Sequence, residues 1–502
     1  MKTKGIVEGL VIATLVIATV LSSATVGAAN SEAPIGVLYA YTGDLGVYGE
    51  PRTNAMEMAV KEVNDNGGVL GKRLKLITRD TETSDEVAIT KARELVGVLK
   101  VPVIIGTTGS GPCMAVIDYT TSNGVLQISP SVTAAEFTDY PDNDLFFRTC
   151  PSDALQGIAM ARLAIQQGYK TASTLVIWNP YGIGFEEAFT KKFEQLGGKV
   201  LASERYDPAT AAFDSVVEKV ASKNPDFVML CAYPDTGSEI LKAASKKGYI
   251  GDMGWLLSEG LMSDDLAEMV GKDDAGNYII AGLKGTAPDP RVVGPAYEEF
   301  KKNYTALYGQ EPIGYCANAY DAVALVALAL EKTGDVSSSG TAIRDCLRDV
   351  ANPPATLKTT DLGEALRIIR AGDFTVNYLG ASGDIRFDTN GDVKGSYCEW
   401  FIADNGEVEL GYPIALEGPI EATPTPKPTV APKDTPATPV TTAKTPEEPA
   451  ATPTLTSTAT PVPTTKATEE PAAIPTPPGF EAVFAIAGLL VVGYLVWRRK
   501  RA

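Results

Sequence analysis

Histidine is absent from all 502 residues. That removes the side chain whose charge changes near neutral pH, and with it the usual general base, His-ligated zinc and the Ser-His-Asp triad. Cysteine is scarce: six residues, with no CxxC pair and no zinc-like spacing. In an exported chain they could pair, for example Cys113 with Cys150 or Cys346 with Cys398, although spacing alone does not fix the connectivity. Cys231, inside the apolar run FVMLCAY, reads instead as a buried thiol. Positive charge is also short, with 44 Lys and Arg against 62 Asp and Glu and a formal net charge of −18. Counterion release from phosphates needs clustered cations, so a nucleic-acid partner is not expected. An anionic group could still be held locally by main-chain donors. The length suits two or three folding units.

The two ends differ in composition from the middle. Residues 1–29 have Lys2 and Lys4 before GLVIATLVIATVLSSATVGAA, which is the pattern of a secretory signal peptide; a retained anchor helix is the alternative. Residues 421–478 are rich in Pro, Thr and Ala with little to pack, so they read as an extended stalk whose threonines are candidates for O-glycosylation. Beyond it, AVFAIAGLLVVGYLVW ends in Arg498, Arg499, Lys500 and Arg501, a stretch slightly short of the ~20 residues of a full bilayer span. The basic end is expected in the cytoplasm and the body outside. With Pro478-Gly479-Phe480 before it, residues 479–502 resemble the PGF-CTERM sorting signal of archaeal surface proteins. In that family the tail is cleaved by an archaeosortase and replaced by lipid; a retained transmembrane anchor is the other reading. Both tether the body to the outer face of the cell membrane.

Between the ends, residues 30–420 alternate strand and helix patterns, predicting an α/β fold with parallel sheets. Apolar runs predict strands at IGVLYAY (35–41), LKLITRD (74–80), VPVIIGT (101–107) and VLQISP (125–130). A second series follows at TLVIWN (174–179), VLASERY (200–206), DFVMLCAY (226–233), GWLLSE (254–259) and YIIAGL (278–283). Two series imply two doubly wound lobes joined by a hinge, lobe 1 at about 32–150 and 284–340 and lobe 2 at about 151–283 and 341–420. Ligands of such sheets bind beyond the carboxyl ends of the strands, which places a site in the cleft between lobes. Helical spacing of Met56, Ala59, Val60 and Val63 before Gly67-Gly68 marks one of the intervening helices.

Candidate anion and metal loops separate cleanly. NGGVLGK (66–72) misplaces the first glycine of a P-loop and has Arg73 where Ser or Thr is needed, so a helix cap and turn are expected. GTTGSGP (106–112) follows a strand and leads into a helix, so its N–H groups and hydroxyls suit a carboxylate. DTNGD (388–392) is too short for an EF-hand and reads as a turn. Asn303-Tyr304-Thr305 is a glycosylation sequon on a predicted exposed helix. No cofactor and no metal site are expected.

The segments IGVLYAYTGDLGVYGE, NDNGGVLGKRLKLITRDTETS, VIIGTTGSG, VLQISPSVTAAEFT, NPYGIGFEEAF and WLLSEGLMS resemble the leucine/isoleucine/valine-binding family, with the type I periplasmic-binding-protein fold. Later stretches RDVANPP, GEALRIIRAGD and NYLGASGDIRFDTNGDV extend the likeness over nearly all of residues 32–410. What the resemblance implies is a solute-binding protein that captures an amino acid, branched-chain or otherwise apolar, and works with the permease and ATPase of an ABC transporter. It implies that Ser110 and Thr133, with the Ser131 backbone, hold the ligand carboxylate, and that Glu259 pairs with its ammonium. Tyr48, Tyr181 and Tyr233 take cleft positions as aromatic walls. Ser131 stands where the family commonly has alanine. Members of the family also bind amides, urea and aromatic acids. A sensory ectodomain of the same fold is a second reading, weakened because no signalling module follows the basic end; an enzyme is not expected, since no base sits beside a nucleophile.

Overall fold

The central apolar runs become strands buried on both faces, as parallel sheets require, while the two edge strands from LKLITRD and VLASERY stay partly exposed. In the computed structural model, which describes residues 32–209, 213–352, 357–372 and 376–420, the first series is β1 (Glu32–Tyr39), β2 (Arg73–Asp80), β3 (Val103–Gly106), β4 (Leu126–Ser129) and β5 (Phe146–Arg148). They form one parallel sheet in the order β2-β1-β3-β4-β5. The helix Gly49–Asp65 covers one face with Met56, Ala59, Val60 and Val63, as its spacing predicts. It stops where Gly67 and Gly68 take φ of 94° and 75°, a left-handed backbone that glycine adopts without a Cβ clash. Residues Val69 and Lys72 pair directly after, so the P-loop-like stretch is a cap and turn. The predicted signal peptide, stalk and C-terminal segment lie outside the described residues. Among the described residues no helix is long and apolar enough to cross a membrane.

The second series is β6 (Thr171–Ile177), β7 (Lys199–Tyr206), β8 (Phe227–Cys231), β9 (Gly254–Leu257) and β10 (Lys284–Pro288). YIIAGL is not a strand. Its N–H groups make turns, Ala281 to Tyr278 and Leu283 to Ile280, with Gly282 at φ 82°, and the strand begins only at Lys284. Ile280 still buries its side chain, which explains the apolar run. Two parallel short strands follow, β11 (Leu357–Thr359) and β12 (Val376–Tyr378). An antiparallel hairpin, β13 (Tyr397–Ile402) and β14 (Val408–Ile414), completes a seven-stranded sheet in the order β14-β13-β10-β9-β8-β6-β7.

The lobe boundaries differ from the expectation in two places. Residues 284–288 join the second sheet, and residues 340–393 pack on the first. The reason is the helix Cys316–Thr333, whose run AVALVALAL is apolar all round and fully buried. The helix Gly340–Ala351 sets Ile343, Leu347 and Val350 into the same core, and Leu362, Leu366 and Ile369 of the next helix do likewise. The chain therefore crosses between lobes at residues 149–152, 288–290 and 393–396.

All six cysteines are free thiols, which corrects both proposed disulfides. Cys346 lies against the first core while Cys398 lies in β13 of the second sheet. Cys150 donates to the Val132 carbonyl at 3.3 Å, and Cys113 accepts from Gln127 at 3.2 Å. Asn303 of the sequon is exposed on the helix Pro295–Tyr308.

DTNGD is a turn, with the Asp388 carboxylate accepting from the N–H groups of Asn390 and Asp392. Its last residue has a larger task. Asp392 makes a two-pronged ion pair with the fully buried Arg148, at 2.7 and 2.6 Å. The same guanidinium donates to the carbonyls of Ala134 (2.8 Å) and Val132 (3.4 Å), so one charge ties β5, the loop after β4 and the third crossing together. Asp392→Ala would leave that cation buried and unpaired, with an expected loss of about 3–5 kcal/mol in denaturant unfolding. A loss under ~1 kcal/mol, the size of an exposed pair, would refute the clamp.

Candidate functional site

The first wall of the cleft is built from loops at the carboxyl ends of β3 and β4. Ser110 opens the helix Ser110–Ser122 and is buried. Its hydroxyl accepts from the Ala134 N–H at 3.3 Å, which leaves its own proton to donate inward. The glycine loop before it is stitched in place: Thr107 donates to the Gly109 carbonyl (2.6 Å), and Thr108 accepts from the Ala40 N–H (2.8 Å). Ser131 is spent within the loop, its N–H on Ser129 (3.3 Å) and its hydroxyl on the Thr108 carbonyl (2.9 Å). Thr133 is buried, and its carbonyl accepts from the Asp153 N–H at 2.8 Å.

The second wall follows β9. The chain turns at Ser258, and Glu259 points into the cleft, where one carboxylate oxygen accepts from Gln156 (2.7 Å) and Tyr181 (2.9 Å). Tyr181 begins the helix after β6 and stacks on Tyr233, ring centres 5.5 Å apart and 7° from parallel. Tyr48 reaches over from the first lobe and donates to the Gly260 carbonyl at 3.0 Å. Asp44, also from the first lobe, accepts from the N–H and hydroxyl of Thr236 at 3.1 and 2.8 Å. The lobes are closed on each other through these contacts.

The three tyrosines and Glu259 thus meet in one place, whereas Ser110, Ser131 and Thr133 form a second cluster. Glu259 borders a cavity of about 1210 Å³ together with Arg52, Met262 and Tyr315; the serine and threonine cluster does not line it. Asp153 joins the two clusters, through its N–H to Thr133 and through electrostatic coupling to Glu259. Sequence reasoning missed Asp153 because Ser152-Asp153 heads a helical run, and Ser152 does cap that helix. Gln156 and Arg52 were missed as ordinary helix residues. None of the three carries a motif of its own.

Both acids are costly where they stand. Burial holds the Glu259 carboxyl up at about 7, against the hydrogen bonds from Tyr181 and Gln156 that favour its charge. Burial and the neighbouring Glu259 charge push Asp153 well above the usual carboxylate range, despite the Thr133 hydroxyl and Arg148. Neither Asp153 oxygen completes a hydrogen bond, and the Tyr315 hydroxyl is likewise buried without one. Among the described residues neither acid is in a salt bridge, and no group of three His, Cys, Asp or Glu could hold a metal. Two buried acids with unfilled capacity are chemically a receptor for a cation with several N–H donors.

Comparison with known proteins places the fold. The family described as periplasmic binding protein matches residues 32–367. The chain belongs to the periplasmic binding protein family. The PGF-CTERM motif matches residues 478–499. This periplasmic binding protein is 26% identical over 360 residues to the chemotactic signal transduction system substrate-binding protein BasB of Halobacterium salinarum, covering 68% of this chain and 80% of that one. It is 25% identical over 357 residues to the Leu/Ile/Val-binding protein BraC3 of Rhizobium johnstonii, covering 70% and 93%. The leucine-binding protein LivK of Thermotoga maritima superposes with a TM-score of 0.64 at 25% identity, covering 76% and 98%. LivJ of Streptococcus pneumoniae, solved with isoleucine, has the same fold at 0.62 and 22%, covering 76% and 99%. Its relatives are solute-binding proteins rather than enzymes.

The protonation of Glu259 has a measurable sign. Its folded value of about 7 exceeds the ordinary 4.5, so between these pH values the folded chain holds more protons than the unfolded one. The contribution of Glu259 to the stability of the protein without ligand is expected to fall as pH rises from about 4.5 to about 7, then level off. Glu259→Gln should shrink that slope in denaturant titrations at pH 5, 6, 7 and 8. An unchanged slope would show that the acid is ionised throughout.

Proposed function

We propose that the cleft captures an α-amino acid for delivery to an ABC transporter. The observation that carries this reading is the pair of acids, Glu259 and Asp153, buried with no salt-bridge partner among the described residues and opposite a wall of neutral donors. A ligand ammonium answers the acids, while the Ser110 hydroxyl and Thr133 answer its carboxylate. Tyr48, Tyr181 and Tyr233 supply the aromatic sides of the site. Ser131 shapes the loop that carries Thr133. Because Tyr48 meets Gly260, and Asp44 meets Thr236, only across the cleft, a ligand held by both walls favours the closed form. The names of BraC3, LivK and LivJ support an amino acid as ligand. The match to the PGF-CTERM motif supports export and tethering at the outer face of the membrane, where a permease and its ATPase would receive the ligand.

A second reading, delivery of the same ligand to a chemotaxis receptor, is favoured by the likeness to BasB. The two differ in the partner, not in the cleft.

Thermal unfolding against a panel of amino acids, amides, urea and aromatic acids tests the ligand class. A ligand at about 100 times its dissociation constant should stabilise the fold by ~2.7 kcal/mol. Glu259→Ala is expected to abolish the response to amino acids while leaving a cooperative melt. Stabilisation by benzoate or urea alone, or an amino-acid response untouched by Glu259→Ala, would reject the assignment.

A further inference from the structure

Among the charged residues that line the cavity with Glu259, Arg52 is buried and its charge favours ionised Glu259, yet the reading above gives it no contact with the ligand. It lies in the first turn of the helix Gly49–Asp65, 5% exposed. A cation there opposes the positive end of the helix and gains nothing from it. Its guanidinium is packed against two rings, 4.4 Å from the centre of Tyr48 and 5.1 Å from that of Tyr315. Its Nε donates to the Gly314 carbonyl at 2.9 Å. The two terminal nitrogens, Nη1 and Nη2, have no hydrogen-bond partner among the described residues, and no carboxylate stands within salt-bridge distance. They border the same cavity as Glu259.

A buried guanidinium with its planar fork unfilled is costly unless something planar and oxygen-bearing completes it. The neutral donors of Ser110 and Thr133 already account for the ligand carboxylate, and the acids account for its ammonium. What remains is the end of the ligand's side chain. We propose that Arg52 sets side-chain specificity by binding a terminal carbonyl or carboxylate oxygen, so that the preferred ligand is an α-amino acid with an amide or acid side chain. This rests on the amino-acid reading of the cleft and replaces its apolar side chain. The two tyrosine rings pack against the guanidinium while its terminal nitrogens stay open to the cavity, where a ligand oxygen can reach them.

Isothermal titration of the full chain with leucine, glutamine and glutamate decides the matter, with glutamine and glutamate separating an amide from an acid. The wild type is expected to bind one of the two oxygen-bearing ligands ~10- to 100-fold more tightly than leucine. Arg52→Met, which keeps the apolar stem, should erase that preference while leucine still binds; Arg52→Lys, which keeps the charge without the fork, should restore only part of it. The inference fails if the wild type prefers leucine, or if Arg52→Met weakens leucine and glutamine equally. Wild-type protein that binds none of the three amino acids would overturn the amino-acid reading itself, and this inference with it. Should Arg52→Met not fold, the wild-type ratio and Arg52→Lys still give the answer.

Discussion

Two buried acids, Glu259 and Asp153, set the terms for everything else in the cleft. A fold tolerates such groups only when a hydrogen-bond network and a counterion are close, or when a protein gains from keeping them unsatisfied. Glu259 has half of its needs met, by Gln156 and Tyr181 on a single oxygen. Asp153 has its charge opposed by Glu259 and neither oxygen bonded. The surrounding architecture is then economical. Each lobe supplies one acid-facing surface, the tyrosines exclude solvent, and the closing contacts of Tyr48 and Asp44 are ordinary neutral or single-charge hydrogen bonds that can break and reform.

Neutral donors on one side and acids on the other also give the site a direction. A zwitterion can enter in only one orientation without leaving like charges face to face. On the proposed reading, Arg52 would divide such ligands by what their side chains end in. The aromatic rings beside it are equally suited to an apolar side chain, which is why the tyrosines alone do not settle the class.

Much of the fold was legible because its signals are local. Continuous apolar runs became β1, β3, β6 and β8, and paired glycines ended the helix Gly49–Asp65 at the expected place. Ser110, Thr133, Glu259 and the three tyrosines are candidates because family-like loops at strand ends carry them, a signal that is likewise local. Long-range facts were not legible. The stripe Ile343, Leu347, Val350 says that one face of a helix is buried, not which sheet buries it, so residues 340–393 were placed in the wrong lobe. YIIAGL had a strand's composition without a strand's backbone, because a single Ile280 side chain accounts for its burial. Asp153 stands at a helix start and Arg52 within the first turn of another helix, and neither carries a motif of its own. Their meaning comes from what the other lobe brings beside them.

The Arg148–Asp392 clamp bears on how the two halves move. Because one guanidinium grips both the carbonyls of Val132 and Ala134 and the segment that leads to the third crossing, that loop and that crossing form a single solid piece. Rotation of the second sheet can then pivot at residues 393–396 without bending the Thr133 loop. The contacts that such a rotation would break and remake are then the two side-chain bridges already in place, Tyr48 to Gly260 and Thr236 to Asp44, while the Thr133 loop keeps its shape.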